Sequence, residues 1–198
     1  MNDEHAEWLA ELADRQGRMV FATAYRILGC AEDAEDVLQE VFLKLLASRN
    51  RRSKAEGVRD WGAYLRVMAA HCAVDLLRRR SKWKGEDMEL CEEMPAPADH
   101  NPRRLAIQHQ RARLLRQAVS TLPKRDARVF ALRYFEELSY EKIAQQTGLN
   151  INAIGVVLYR ARNRLREILE PLVARDGRRE ENREKPTEMA KEDDHVTT

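Results

Sequence analysis

The chain has 198 residues, enough for one medium domain or two small ones, and 43% of them are hydrophobic, enough for a packed core. Charged residues make up 34%, high for a compact enzyme, yet the net charge is only +2 because opposed blocks cancel. Three separated cysteines, Cys30, Cys72 and Cys91, without a C-x-x-C argue against a disulfide framework and predict reduced thiols in a cytoplasm.

The opening MNDEHAEWLAELADRQ is acidic and amphipathic, so it does not read as a signal peptide. Trp8 and Leu12 pair at i, i+4, as do Val20 and Ala24, and Ile27 and Leu28 continue the stripe. In DAEDVLQEVFLKLLA the apolar residues Val37, Leu38, Val41, Phe42, Leu45 and Leu46 give a second helix with one buried face. WGAYLRVMAAHCAVDLLRRR repeats the stripe through Trp61, Tyr64, Leu65, Met68, Ala69, Cys72, Leu76 and Leu77. These helices predict a first domain over 1–84. No apolar run approaches the roughly 18 residues of a membrane span, which predicts no membrane insertion.

Charge then changes sign. Arg78, Arg79, Arg80, Lys82 and Lys84 form a basic block without acids. Glu86, Asp87, Glu89, Glu92, Glu93 and Asp99 follow without Lys or Arg. Such asymmetry suits a polyanion-binding face beside a solvated segment. GEDMELCEEMPAPADHNP, residues 85–102, has three prolines and no periodicity, and reads as a flexible linker.

Helical spacing returns at Leu105, Leu114, Leu115, Ala118 and Val119, opening a second domain over 103–173. Pro123 suits a first helical turn. Ser139 is a good N-cap with Glu141 in the first turn, but Lys142 replaces the Glu of a full capping box. Gly148 ends that short helix, Leu149 plugs the turn, and Asn150 caps the next. Ile151, Ile154, Leu158, Ala161, Leu165, Ile168 and Leu172 form the inner stripe of the following helix. A short helix, a tight glycine turn and a second helix make a helix-turn-helix. Its outer face carries Asn152, Gly155, Val156, Tyr159, Arg160 and Asn163, flanked by Arg162, Arg164 and Arg166. Arginines neutralise phosphates while the helix start enters the major groove. The charged stretch 174–198 lacks apolar anchors and predicts a disordered tail. The histidines and cysteines have no metal-ligand spacing, and no phosphate loop or nucleophile elbow is present, so no metal, cofactor or enzyme activity is expected.

LPKRDARVFALRYFEELSYEKIAQQTGLNINAIGVVLYRARNRLREIL resembles region 4 of the extracytoplasmic-function sigma factors of the sigma-70 family. Independently, AEDAEDVLQEVFLKLL resembles their region 2.2, and WGAYLRVMAAHCAVDLLRRR their regions 2.3 and 2.4. The resemblance implies an all-α fold of two small helical domains, a region 2 bundle and a region 4 helix-turn-helix, joined by the acidic linker. It implies a cytoplasmic protein that binds core RNA polymerase at the β′ clamp and β flap and directs initiation at promoter DNA. An anti-sigma factor is the further partner it allows.

By the same resemblance, Asp36, Gln39, Glu40 and Lys44 would meet the clamp. His71 with Arg78, Arg79, Arg80 and Lys82 would meet the −10 element, together with the basic loop 48–60. Asn150, Asn152, Gly155, Val156, Tyr159, Arg160, Arg162 and Arg164 would meet the −35 element. Three departures from the family pattern stand out. Tyr64 takes the place of a frequent tryptophan. His71 replaces the asparagine that lines a pocket for a flipped −10 base. Gly155-Val156-Val157 replaces Lys-Ser-Arg in the recognition helix. The competing reading is a stand-alone regulator that uses only the helix-turn-helix.

Overall fold

A computed structural model describes residues 3–49, 58, 60–83 and 102–183, and among them all regular structure is helical. The first three helices are α1 (Asp3–Leu28), α2 (Ala31–Arg49) and α3 (Trp61–Trp83). They are followed by α4 (Pro102–Thr121), α5 (Lys124–Tyr134), α6 (Tyr140–Thr147) and α7 (Ile151–Arg183).

Helices α1 to α3 pack as a bundle because each carries one apolar stripe. Leu12, Val20, Ala24 and Ile27 of α1 meet Val37, Val41 and Leu45 of α2 and Leu65, Ala69, Ala73 and Val74 of α3 in one buried core. Trp8 and Trp61 close its end edge to face, with ring centroids 5.1 Å apart. The turn from α1 to α2 is made by Gly29, whose φ of 71° and amide bond to the Tyr25 carbonyl at 2.7 Å end α1 in the left-handed conformation. Asp60 starts α3, its Oδ1 accepting from the Ala63 amide at 2.9 Å.

The second half starts at Pro102, in the first turn of α4, where a missing N–H costs nothing. Val119 of α4, Leu122 of the turn after it and Ala127, Phe130 and Leu132 of α5 join Ile143 of α6 and Ile154, Leu158 and Leu165 of α7. This cluster is continuous with that of the first half, so the halves expected as separate domains share one core in this structure.

Three expectations need correction. Ile151, assigned to the inner stripe, is 44% exposed, because it starts α7 at the edge of the buried arc. The stretch from residue 174, expected as a disordered tail, continues α7 to Arg183. Extending an existing helix adds a hydrogen bond per residue fixed, and Ala, Arg and Glu are good helix formers. Residues 184–198 and the linker 85–101 lie outside the described residues. Third, Cys30 is disulfide-bonded while Cys72 is free and buried, so the expectation of three reduced thiols fails at Cys30. Cys91, the remaining cysteine, lies outside the described residues.

Candidate nucleic-acid interface

The helix-turn-helix follows from local chemistry. Ser139 caps α6, its hydroxyl accepting from the Lys142 amide at 3.2 Å. Hydrogen bonding to backbone N–H and to Ser139 holds the Glu141 carboxyl below its usual range. Gly148 ends α6 at φ 71°, with its amide on the Ala144 carbonyl at 2.8 Å. A Cβ there would meet nothing within 4 Å, so positive φ, not crowding, makes this a glycine position. Asn150 then caps α7 through Oδ1, which accepts from the Asn152 amide at 2.8 Å. Its carbonyl oxygen is thereby engaged in the cap.

On α7 the buried and exposed faces separate cleanly. Ile154, Val157, Leu158, Ala161 and Leu165 are buried. Asn152, Val156, Tyr159, Arg160, Arg162, Arg164 and Arg166 are exposed, and Gly155 is half-buried. Val156 and Tyr159 are large apolar groups at 56% and 60% exposure, on a surface where a monomer gains nothing by showing them. Arg160 is drawn toward Asp126 of α5 at 3.6 Å, while Arg162 and Arg164 point outward. The face thus offers one amide, two apolar contacts and a row of cations.

Gly155 has ordinary helical backbone, and a Cβ built on it would approach nothing closer than Tyr140 Cε2 at 3.9 Å. Packing inside the protein therefore does not demand glycine. Gly155→Ala should raise stability by about 0.5–1 kcal/mol in urea titration, the ordinary helix-interior cost of glycine. If promoter affinity falls while stability rises, the missing side chain serves the DNA.

The basic block divides in the structure. Arg79 and Lys82 are exposed. Arg80 is bonded to the buried Asp33 at 2.5 Å. Arg78 donates to the Ser120 carbonyl at 3.2 Å and to the Leu122 carbonyl, both at the end of α4. Arg79 also lies 3.8 Å from the Glu40 carboxylate, so three of the four block arginines and lysines expected at DNA have partners within the protein. Residues 50–57 of the basic loop lie outside the described residues.

His71 is half-buried on α3, on the face turned to α5. Burial pushes its imidazole from an ordinary 6.5 down to about 4, with the Arg128 cation adding to the shift, Asp75 opposing it and Lys124 adding a little more. Between those pH values the unfolded chain binds a proton that the folded chain refuses. Its stabilising contribution is complete above pH 6.5 and is lost as pH falls toward 4. Urea unfolding should show about 2 kcal/mol less stability from this group at pH 5 than at pH 7. His71→Gln should remove that part of the slope, and an unchanged slope would refute the assignment.

On α2, Asp36 and Gln39 are exposed and Glu40 is half-buried. Glu40 is held by Lys44 at 2.6 Å and approached by Arg79 at 3.8 Å. Lys44 also donates to the Cys72 sulfur at 3.3 Å. Between these polar groups stands Leu43, 63% exposed, which the periodicity did not single out. Its signal in the sequence is its spacing: it lies seven residues after Asp36 and four after Gln39, on the polar face and off the apolar stripe.

Comparison with known proteins matches both halves. Residues 12–82 match the model of sigma-70 region 2, and residues 112–165 that of sigma-70 region 4; together they span more than half of the chain. The RNA polymerase sigma factor SigV of Bacillus subtilis is 29% identical over 141 residues, 71% of this chain and 78% of that protein. The ECF RNA polymerase sigma factor SigE of Mycolicibacterium smegmatis is 28% identical over 160 residues, 80% of this chain and 60% of its own length. The solved complex of sigma factor RpoE with the anti-sigma factor NepR from Bartonella quintana aligns at 20% identity. It covers 85% of this chain and 98% of that chain with a TM-score of 0.45, a likeness too loose to argue from.

Proposed function

The chain belongs to the extracytoplasmic-function sigma factors of the sigma-70 family, and from that premise we propose which of its surfaces meet polymerase and which meet DNA. As a sigma factor it binds core RNA polymerase and directs promoter-specific initiation. The exposed face of α2, with Asp36, Gln39 and Leu43 at its centre and Glu40 and Lys44 beside them, docks on the β′ clamp. The outer face of α7 enters the −35 major groove, with the second half seated on the β flap. Arg79 and Lys82 meet −10 phosphates, and His71 and Arg78 join them when the α3 face is free.

The observation that carries this reading is the division of α7. A helix capped by Asn150 behind a glycine turn buries Ile154, Val157, Leu158, Ala161 and Leu165 and exposes a contiguous face of Asn152, Val156, Tyr159 and arginines. That is the geometry of a helix that reads base edges with its start and holds phosphates with its sides. The protein itself performs no chemistry in this reading, since polymerase makes the bonds and sigma supplies the address. We place it in the cytoplasm, where polymerase and promoters are. No helix among the described residues is long and apolar enough to cross a membrane. An anti-sigma factor would act by covering the same α2 or α7 faces.

Run-off transcription on genomic fragments with purified core polymerase tests the reading. Discrete transcripts should require both this protein and core. A protein that instead binds a palindromic site alone and adds no transcripts to core would be the stand-alone regulator.

A further inference from the structure

What the outer face of α7 offers to DNA is not set by α7 alone. Asn152, Val156, Arg160 and Arg164 stand four residues apart and form one row along the helix, all four exposed. Arg160, the third of the row, has its guanidinium 3.6 Å from the Asp126 carboxylate of α5. The two partners are unlike. The Arg160 side chain is 59% exposed, whereas that of Asp126 is 10% exposed. Asp126 lies in the first turn of α5, in a stretch whose Ala127, Val129 and Phe130 are buried.

The carboxylate is anchored and the guanidinium is not. Asp126 is short and buried on a helix packed against α7, so the pair forms by the long arginine turning to the short aspartate. A carboxylate withdrawn from water gains from any cation that offsets its lost hydration. A guanidinium reads a guanine through a planar fork to O6 and N7, and it holds a phosphate with the same donors. Turned to Asp126, it has its charge offset where DNA would feel it. A pair with one partner mostly in water is a weak hold, so it tunes affinity and does not abolish it. The ordinary role of an acid in a first turn is to favour the positive end of its own helix. That role needs no arginine from α7.

We propose that Asp126 is a positioning residue that sets −35 specificity: it holds Arg160 out of the major groove and leaves base reading to Asn152. Asp126 acts through Arg160 and touches no DNA itself. Freed, Arg160 adds a cation at every promoter and a guanine-reading fork at one base pair. The inference rests on the assignment of the outer face of α7 to the −35 element, and Arg164 serves as the separate check on that assignment.

A double-mutant cycle of Asp126→Asn and Arg160→Ala tests it, read as binding of holoenzyme to a fluorescent promoter fragment found by run-off. Asp126→Asn should tighten binding by about three- to fivefold, the worth of one exposed ion pair or phosphate contact. It should also steepen the dependence of log affinity on log salt by about 0.9. Arg160→Ala alone should change affinity by less than about twofold, and in its background Asp126→Asn should add less than about twofold. Selection from a −35 library should show Asp126→Asn gaining a guanine preference at one base pair. An aspartate that serves only α5 would lower the urea midpoint and leave binding and salt slope unchanged, which would overturn the proposal. An equal gain with and without Arg160 would also overturn it, since the carboxylate would then act on DNA by its own charge. If Asp126→Asn loses helix content in far-UV circular dichroism, Arg160→Ala carries the test: a loss as large as that of Arg164→Ala shows Arg160 already on DNA and sinks the idea. Arg164→Ala should itself weaken every promoter; no loss there would remove α7 from the −35 element and the proposal with it.

Discussion

Replacing Gln39 and Leu43 together with alanine should weaken the complex with core polymerase by about 10- to 100-fold. The two side chains lie on the exposed face of α2, and Leu43 at 63% exposure contributes little to the fold. Burying a leucine against a partner is worth about 1.5–3 kcal/mol, and a tenfold change in affinity corresponds to about 1.4 kcal/mol. An apolar side chain ringed by polar ones is the usual form of an interface anchor. Glu40 is a poorer choice for the test, although it lies on the same surface. Its carboxylate is held by Lys44 and Arg79, so Glu40→Ala would disturb three residues at once. Alanine is the best helix former, so the double variant should melt as wild type does. Titration of labelled protein with core polymerase decides the matter, and a wild-type affinity would remove α2 from the interface.

The helix-turn-helix was legible because its determinants are local. A serine before a helix, a glycine in the left-handed turn and an asparagine before the next helix each act within four residues of themselves, and the structure puts each bond where the pattern predicts it. The stripes of α1 to α3 were legible for the same reason. Periodicity failed at Leu43, because a search for buried faces discards a leucine that lies off the stripe. It failed at Ile151 in the opposite sense, since an isoleucine at a helix start meets the stripe spacing without enough helix before it to cover it. Arg78, Arg80, His71 and Glu136 were beyond reach for a different reason. Their neighbours are set by how distant helices pack: Glu136 meets Arg26 across 110 residues of chain. A basic block reads as a DNA surface, and nothing in RRRSK says that one arginine will cap α4 and another will neutralise Asp33. The departure Gly155-Val156-Val157 was half legible. Val157 falls in the core as its angular position requires, while Val156 remains exposed without a polar function to explain it.

Discrimination at the −35 element should be shallow and should depend on Asn152. Lysine, serine and arginine at 155–157 would offer donors to phosphates and base edges, and Gly155-Val156-Val157 offers none. Of the exposed groups near the start of α7, Asn150 has its oxygen engaged in the cap. Asn152 is therefore the side chain placed to give an adenine its paired donor and acceptor, and Val156 can lie on a thymine methyl. Arg160, drawn toward Asp126, is held back from the groove, whereas Arg164 is free to hold a phosphate. Asn152→Ala should relax the −35 preference by about 1–3 kcal/mol at one base pair and leave the others nearly unchanged. Arg164→Ala should weaken all promoters alike and flatten the dependence of log affinity on log salt by about 0.9. Selection from a promoter library with holoenzyme, repeated for both variants at two salt concentrations, separates the two effects. A sharply defined −35 motif that survives Asn152→Ala would show that α7 reads its site with other groups, and Tyr159 would be the next to test.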